Sequence, residues 1–458
     1  MTRIALVVLD TLRKDTFKEY FDWLPGRYYT DAVSTSHWTI AAHASMVTGQ
    51  YPGELGVNMK STELGGFDGP VLAERLQRSG FRTRALTANH YLAYSDGWDR
   101  GFDEFYTPWH LQNKRAFETA DLMSDMTNGA EPSGLADTLR LIYASEESTW
   151  RSLRLLIRMS LPGVTHEMPD DGAQNVLNWV ESNASSLRED EFLYVNLMEA
   201  HTPLDPPAEY NSAGELVSVP KRGCFAENVS EPDRIRTAYA DAVRYLSNVY
   251  EAVFDRLTES YDYVITCADH GQMLGDRMLM DEFGIWGHSY GLYPELVRVP
   301  LVISGPGLGG QDTRPVSLLD IPATVAELAG VESSDWGHGI PLVTGHGGDV
   351  EPSDAAFEDR PRLTQYHGFD SFHRKKYLRN EVPESVVDSV EPTREGVATD
   401  AGYAYETHDR GLLVDGSVSE PHETLESLSD SVTDRTKDTV HQEFPDRVLD
   451  QLEDLGYV

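Results

Sequence analysis

The sequence predicts an α/β protein, a mostly parallel sheet with helices packed on both faces. Three observations lead there: four continuous apolar runs of strand length, amphipathic stretches of helix length between them, and enough apolar residues for a large core. Of 458 residues, 40% are hydrophobic and 25% are charged. That is the balance of a folded globular chain, not of a disordered or collagen-like one. The length allows about two or three domains.

The runs are Ile4 to Leu9, which ends against Asp10, then Phe192 to Leu197, Tyr263 to Ala268 and Val299 to Ile303. Continuous rather than alternating apolar residues are expected of strands buried on both faces, and so of parallel ones. Val71 to Arg78 before Gly80, Ala173 to Leu187 and Arg234 to Leu257 repeat apolar residues at three and four, the spacing of one helix face. Strands alternating with such helices make a sheet covered on both sides. The stretch 108–170 breaks the rhythm and is expected to be a mostly helical insertion in a domain spanning 1–345. Within it Arg151, Arg154 and Arg158 stand at helical spacing beside Trp150, Leu153 and Ile157. This basic face is either a solvated surface or a peripheral contact for an anionic substrate, a lipid headgroup or a partner. Residues 346–359, rich in Gly, Asp, Glu, Ser and Pro, read as a linker, and 360–458 as a small C-terminal α+β subdomain. The latter holds a hairpin-like pair, Tyr403 to Thr407 and Gly411 to Val414, and an apolar-periodic tail from Val448 to Leu455. Thr424 to Asp438 reads as a solvated linker or exposed helix.

Asp and Glu number 75 against 38 Lys and Arg, a net charge of −37, and only 8 of the 38 are Lys. At about 1 M salt the Debye length falls to roughly 3 Å, so crowded carboxylates no longer repel one another at range. The acidic, Lys-poor composition therefore points to a halophilic, salt-accumulating source, with a merely acidic mesophilic protein as the alternative. No nucleic-acid partner is expected. Two cysteines, Cys224 and Cys267, are too few for a disulfide framework. No run resembles a secretion signal or a membrane span, and a cytoplasmic location is expected.

In open α/β sheets ligands bind beyond the carboxyl ends of the strands. Asp10 follows the first apolar run, and Asp269 and His270 follow the third. Singly each reads as a cap or turn residue. Together, two carboxylates and an imidazole at one sheet edge suit a divalent metal ion.

Ser34-Thr-Ser-His37 leads into Trp38-Thr39-Ile-Ala-Ala-His43-Ala-Ser-Met-Val-Thr48-Gly49. This segment resembles the nucleophile signature of the sulfatase family within the alkaline phosphatase superfamily. There a Cys, Ser or Thr stands ten residues before the Gly of a Thr-Gly pair, and a basic residue follows four positions after the nucleophile, a spacing that Thr39, His43 and Gly49 reproduce. Thr39 takes the nucleophile position and His43 that of the usual Arg. Further matches run in family order: Glu199-Ala-His201-Thr-Pro-Leu-Asp205, Asp269-His270-Gly271-Gln272, Gly287-His288 followed by Leu292-Tyr293, Glu295 and Arg298-Val-Pro-Leu301, then Asp320-Ile-Pro-Ala-Thr324, Glu327-Leu-Ala-Gly330 and Leu455-Gly-Tyr457.

The resemblance implies an alkaline phosphatase-like α/β/α sandwich and a hydrolase of sulfuric or phosphoric esters. It implies one divalent ion, calcium, manganese or zinc, on Asp10, Thr39, Asp269 and His270. It further implies catalysis by Thr39 with His43, His201 and His288 stabilising charge, and His201 or His288 protonating the leaving group. A hydroxyl at a helix start lies where backbone N–H groups and the dipole favour an anion. The bland alternative makes Thr39 an N-cap and His43 a packed histidine. Thr11 stands where the family has a second Asp, and His270 where it often has Asn, which weighs against a purely oxygen-liganded calcium site. Formylglycine is made from Cys or Ser, so none is expected here, and Thr39 acts as a plain alcohol. The reaction is thereby open between S–O and P–O cleavage of a small-molecule, glycan or lipid-headgroup ester. A phosphodiesterase, a phosphoglycerol-type transferase and a non-catalytic binding protein remain alternatives. So does a second ion on His288 with Glu199, His201 or Asp205.

Overall fold

Burial of the apolar runs sets them edge to edge in one sheet. A computed structural model describes residues 1–106, 172–214, 217–220, 223–227, 229–331, 336–353 and 360–435. The predicted insertion with Arg151, Arg154 and Arg158, the tail from Val448 and the Leu455-Gly-Tyr457 match lie outside the described residues.

The strands of the first part are β1 (Arg3–Leu9), β2 (Arg27–Val33), β3 (Arg82–Thr87), β4 (Glu104–Tyr106), β5 (Glu191–Leu197), β6 (Tyr263–Cys267), β7 (Met273–Leu279), β8 (Phe283–Gly287), β9 (Arg298–Val299), β10 (Leu301–Ser304) and β11 (Gly310–Ser317). Nine of them form the central sheet in the order β11-β2-β10-β6-β1-β5-β3-β4, with β9 on β2. β7 and β8 pair as a separate antiparallel hairpin. Every residue of β5 is buried, and every residue of β1 except Arg3. Each fully buried aliphatic side chain in such a strand contributes about 1.5–3 kcal/mol.

Helices cover both faces. Pro232–Thr258 packs with Lys14–Tyr20 and Ala173–Asn183, while Thr39–Thr48 packs with Leu72–Arg78 and Asp320–Leu328. The run Val299 to Ile303 departs from the expectation of a parallel strand. It breaks at Pro300 into β9 and β10, and β10 runs antiparallel to both β2 and β6. Proline has no N–H for the ladder, and an apolar run buried on both faces carries no signal of strand direction.

Beyond the sheet, β12 (Val343–Thr344) pairs with β13 (Glu351–Pro352). β14 (Arg362–Tyr366), β15 (Arg394–Thr399), β16 (Gly402–Thr407) and β17 (Gly411–Gly416) then form an antiparallel sheet that includes the predicted hairpin. The helix Pro421–Ser431 is mostly exposed and buries Leu425. This second sheet braces the segment before Thr39. The Gln365 N–H donates to Thr35 O at 2.8 Å and Ser36 Oγ to Gln365 O at 3.1 Å.

Candidate active site

β1 and β6 pair in parallel with Val8 opposite Cys267. Asp10 and Asp269, two residues further along each chain, therefore leave the sheet side by side. With His270 they bring one ligand atom each within 4.8 Å of one another, all three buried. Asp269 Oδ1 accepts the N–H groups of Thr11 (3.1 Å) and His270 (2.8 Å). Its Oδ2 faces His43 Nε2 at 3.4 Å and His270 Nε2 at 3.5 Å. Asp10 Oδ2 accepts the side-chain amides of Asn89 (3.3 Å) and Asn196 (3.5 Å). Among the described residues Asp10 Oδ1 and Asp269 Oδ2 are buried without a hydrogen-bond partner.

Burial first, and then the charge of Asp269, push the Asp10 carboxyl well above its usual range. Burial acts in the same sense on Asp269, yet His270, His43 and the donated N–H groups hold it down at about 2. Each of two carboxylates this close raises the cost of ionising the other when no compensating charge is present. Thr11 adopts a φ of 57°, strained for a β-branched residue. The hydroxyl of Tyr239, donating to Thr11 O at 2.8 Å, helps hold it there.

Trp38, not Thr39, is the N-cap of the helix Thr39–Thr48, which leaves Thr39 in the first turn with its hydroxyl inward. His270 donates Nδ1–H to Gly271 O at 2.9 Å, so its Nε2 lone pair accepts the Thr39 hydroxyl at 3.0 Å. The glycine of Asp-His-Gly is needed for space, since a Cβ at Gly271 would lie 2.0 Å from Glu295 O. Gly49 ends the helix Thr39–Thr48 at a φ of 75°, 2.2 Å from Trp336 O for any added Cβ.

His43 is wholly buried one turn further along the helix. Its Nε2 faces Asp269, and its Nδ1 meets the Tyr194 hydroxyl. His201 and His288 come together on the other side, Nε2 to Nε2 at 3.2 Å, with the His288 ring stacked on His270 at 4.5 Å. His201 donates Nδ1–H to Thr202 O at 2.6 Å, so the single N–H between the pair belongs to His288. His37 donates Nδ1–H to His288 O at 2.7 Å. Burial, reinforced by neighbouring imidazoles, lowers His201 to about 4 and His37 to about 3, and depresses His288 and His270 too. Of the predicted second-ion set, His201 and His288 meet; Glu199 Oε1 accepts the Ala173 N–H at 2.7 Å and Asp205 is exposed.

Side chains sharing one divalent ion at about 2.0–2.2 Å stand roughly 3–3.5 Å apart. The separations of 3.0 Å from Thr39 Oγ1 and 3.5 Å from Asp269 Oδ2 to His270 Nε2 have that spacing. The unpartnered oxygens of Asp10 and Asp269 complete a donor set that fits such an ion.

Sequence reasoning missed Asn89, Asn196 and Tyr194. Asn196 and Tyr194 sit inside an apolar run that reads as core, and Asn89 follows β3, whose Arg82-Thr-Arg start masks it as a strand. The strand-end rule applied to Thr87 is the signal that reaches Asn89.

The α/β/α fold, with two carboxylates, an imidazole and a hydroxyl gathered at the strand ends, is that of the alkaline phosphatase superfamily. The chain belongs to the sulfatase family, whose profile matches residues 20–331. A choline-sulfatase of Rhizobium meliloti is 36% identical over 118 residues, 24% of this chain and 22% of that protein. The low-salt glycan biosynthesis sulfotransferase Agl7 of Haloferax volcanii is 23% identical over 124 residues, 24% of this chain and 30% of that protein. These matches thus span less than a third of either curated relative. Among solved structures, a phosphonate monoester hydrolase from Silicibacter pomeroyi superposes with a TM-score of 0.61 at 17% identity, covering 95% of this chain and 96% of that one. At that identity the likeness is one of fold. Among the described residues no helix is long and apolar enough to cross a membrane.

Proposed function

We propose that this chain hydrolyses a singly charged ester, a sulfate ester or a phosphonate monoester, with Thr39 as nucleophile. The observation that carries the reading is the Thr39 hydroxyl 3.0 Å from His270 Nε2, inside the buried Asp10, Asp269 and His270 cluster. A divalent ion on Asp10, Thr39, Asp269 and His270 would supply Lewis acidity, easing loss of the Thr39 proton and drawing charge from the ester oxygens. Thr39 Oγ1, its proton released to solvent water, attacks the sulfur or phosphorus as the bond to the leaving alcohol breaks. The entering anion offsets the mutual repulsion of His201 and His288, so the pair takes up a proton and His288 Nε2–H passes one to the leaving oxygen. Water then cleaves the ester on Thr39.

Charge supports a monoanion. Among the described residues no Lys or Arg hydrogen-bonds or ion-pairs with Asp10, Thr39, His43, Asp269, His270 or His288. Among the described residues, then, no fixed cation touches this cluster to balance the second charge of a phosphate monoester. The competing reading puts a second ion on His201 and His288, whose 3.2 Å separation also suits two ligands of one metal. The net charge of −37 supports work in molar salt, with the salt-rich cytoplasm as the proposed compartment.

The test compares rates on an aryl sulfate, an aryl phosphonate monoester, an aryl phosphate monoester and a bis-aryl phosphodiester in molar salt, with metal content measured per chain. Expected are preference for a monoanion, one ion per chain, and loss of at least about a thousandfold in kcat for Thr39→Ala with the fold intact. Near-native turnover by Thr39→Ala removes Thr39 from the mechanism. Two ions per chain favour the second reading.

A further inference from the structure

We propose that Tyr194 and His43 form a buried brace on Asp269 that sets the affinity of the site for its divalent ion. The proposal rests on the reading above, in which Asp269 is an ion ligand. His43 stands where the family places Arg, and an imidazole reaches less far than a guanidinium. The structure makes up the difference from the other side: Tyr194, on β5, meets His43 Nδ1 with its hydroxyl, while His43 Nε2 points at Asp269 Oδ2 from 3.4 Å. The two rings meet edge to face, and both residues are buried.

Donor and acceptor roles follow from what each end can do. An ionised carboxylate only accepts, so the nitrogen facing Asp269 must carry the proton. The other nitrogen then holds a lone pair, which accepts the Tyr194 O–H, and no other hydrogen bond of that hydroxyl is present among the described residues. Asp269 thus sets the tautomer of His43, and the Tyr194 O–H matches it by donating to the other nitrogen and so anchors the ring. Such outer partners orient a ligand and tune its basicity. Without the hydroxyl, His43 Nδ1 is left buried with no hydrogen-bond partner among the described residues, and the ring loses the contact that aims Nε2–H at the carboxylate. Tyr194 and His43 are positioning residues, acting on the ion only through Asp269.

Calorimetric titration of the chelator-stripped protein with Mn²⁺ in molar salt tests this. Tyr194→Phe is expected to weaken binding by about 10–100-fold. His43→Gln keeps an N–H donor near the Nε2 position whose identity does not depend on Tyr194. In that background Tyr194→Phe is expected to change the affinity by less than twofold, a rescue that general loosening of the core would not produce. An affinity of Tyr194→Phe within twofold of wild type, or an equal loss in both backgrounds, overturns the brace while leaving the ion site standing. Wild-type protein that binds no Mn²⁺ or other divalent ion overturns the functional reading and the brace with it. If Tyr194→Phe does not fold, His43→Leu decides: wild-type affinity there refutes the brace.

Discussion

Replacing Asp10 by Asn should stabilise the ion-free protein and abolish its response to divalent ions. The ligand oxygens of Asp10 and Asp269 lie within 4.8 Å of each other. At an effective dielectric constant of about 20, two unit charges at that distance repel by about 3 kcal/mol. Asn can keep its carbonyl on the Asn89 and Asn196 amides, which now bond Asp10 Oδ2 at 3.3 and 3.5 Å. Its amide group then falls where the unpartnered oxygen stood, and a poorly satisfied buried donor costs about 1–3 kcal/mol. The net gain is therefore up to about 2 kcal/mol at neutral pH. It shrinks as the pH falls, because the raised Asp10 carboxyl of the wild type takes up a proton and relieves the same repulsion. An ion at a hundred times its Kd should stabilise the wild type by about 2.7 kcal/mol and the variant not at all. The assay is urea unfolding in molar salt with EDTA or with Mn²⁺. A variant less stable than wild type in EDTA, or one still stabilised by the ion, would refute the paired-carboxylate site.

Acid should destabilise the protein through its buried histidines. His37, His201 and His367 are lowered by burial to about 3, 4 and 4, against 6.5 for an exposed imidazole. Between pH 6.5 and about 4 the unfolded chain binds more protons, so stability is complete above pH 6.5 and falls through that window, by up to about 1.4 kcal/mol per pH unit for each histidine. Urea midpoints at pH 7.5 and 5 read this, and an unchanged midpoint contradicts the burial of these rings. Far from the site, Arg84 pairs with Glu191, both wholly buried, under the Trp179 ring at 4.4 Å. Arg84→Met should cost about 3–5 kcal/mol by stranding the Glu191 charge, and adding Glu191→Leu should recover much of it. If the double variant is no more stable than the single, the lost ring packing, not the stranded charge, is the cause. Thr39→Ser should retain far more turnover than Thr39→Ala, since it keeps the hydroxyl that faces His270. Equal loss in single-turnover assays would mean that the methyl group, not the oxygen, matters.

Most of the fold was legible because burial writes itself into composition. Ile4 to Leu9 and Phe192 to Leu197 read as strands covered on both faces, and Arg234 to Leu257 as an amphipathic helix, observed as Pro232–Thr258. The ends of those strands were legible too, since a polar residue stopping an apolar run must leave the sheet at its edge. Asp10, Asp269 and His270 followed from that rule, and Thr39 from the resemblance of its segment to the nucleophile signature of the sulfatase family. The direction of β10 was not legible, because apolar residues satisfy either ladder equally. Nor were Asn89, Asn196 and Tyr194, whose part is to hold another side chain. The sequence by itself determined the layers, the strand ends and the atoms able to bind an ion. Only tertiary structure decided that Val8 lies opposite Cys267, that His43 turns to Asp269 and that His201 faces His288. Local pattern records what each residue needs in burial and hydrogen bonding. Which distant partner meets that need depends on strand register and packing, and those arise only when the whole chain closes.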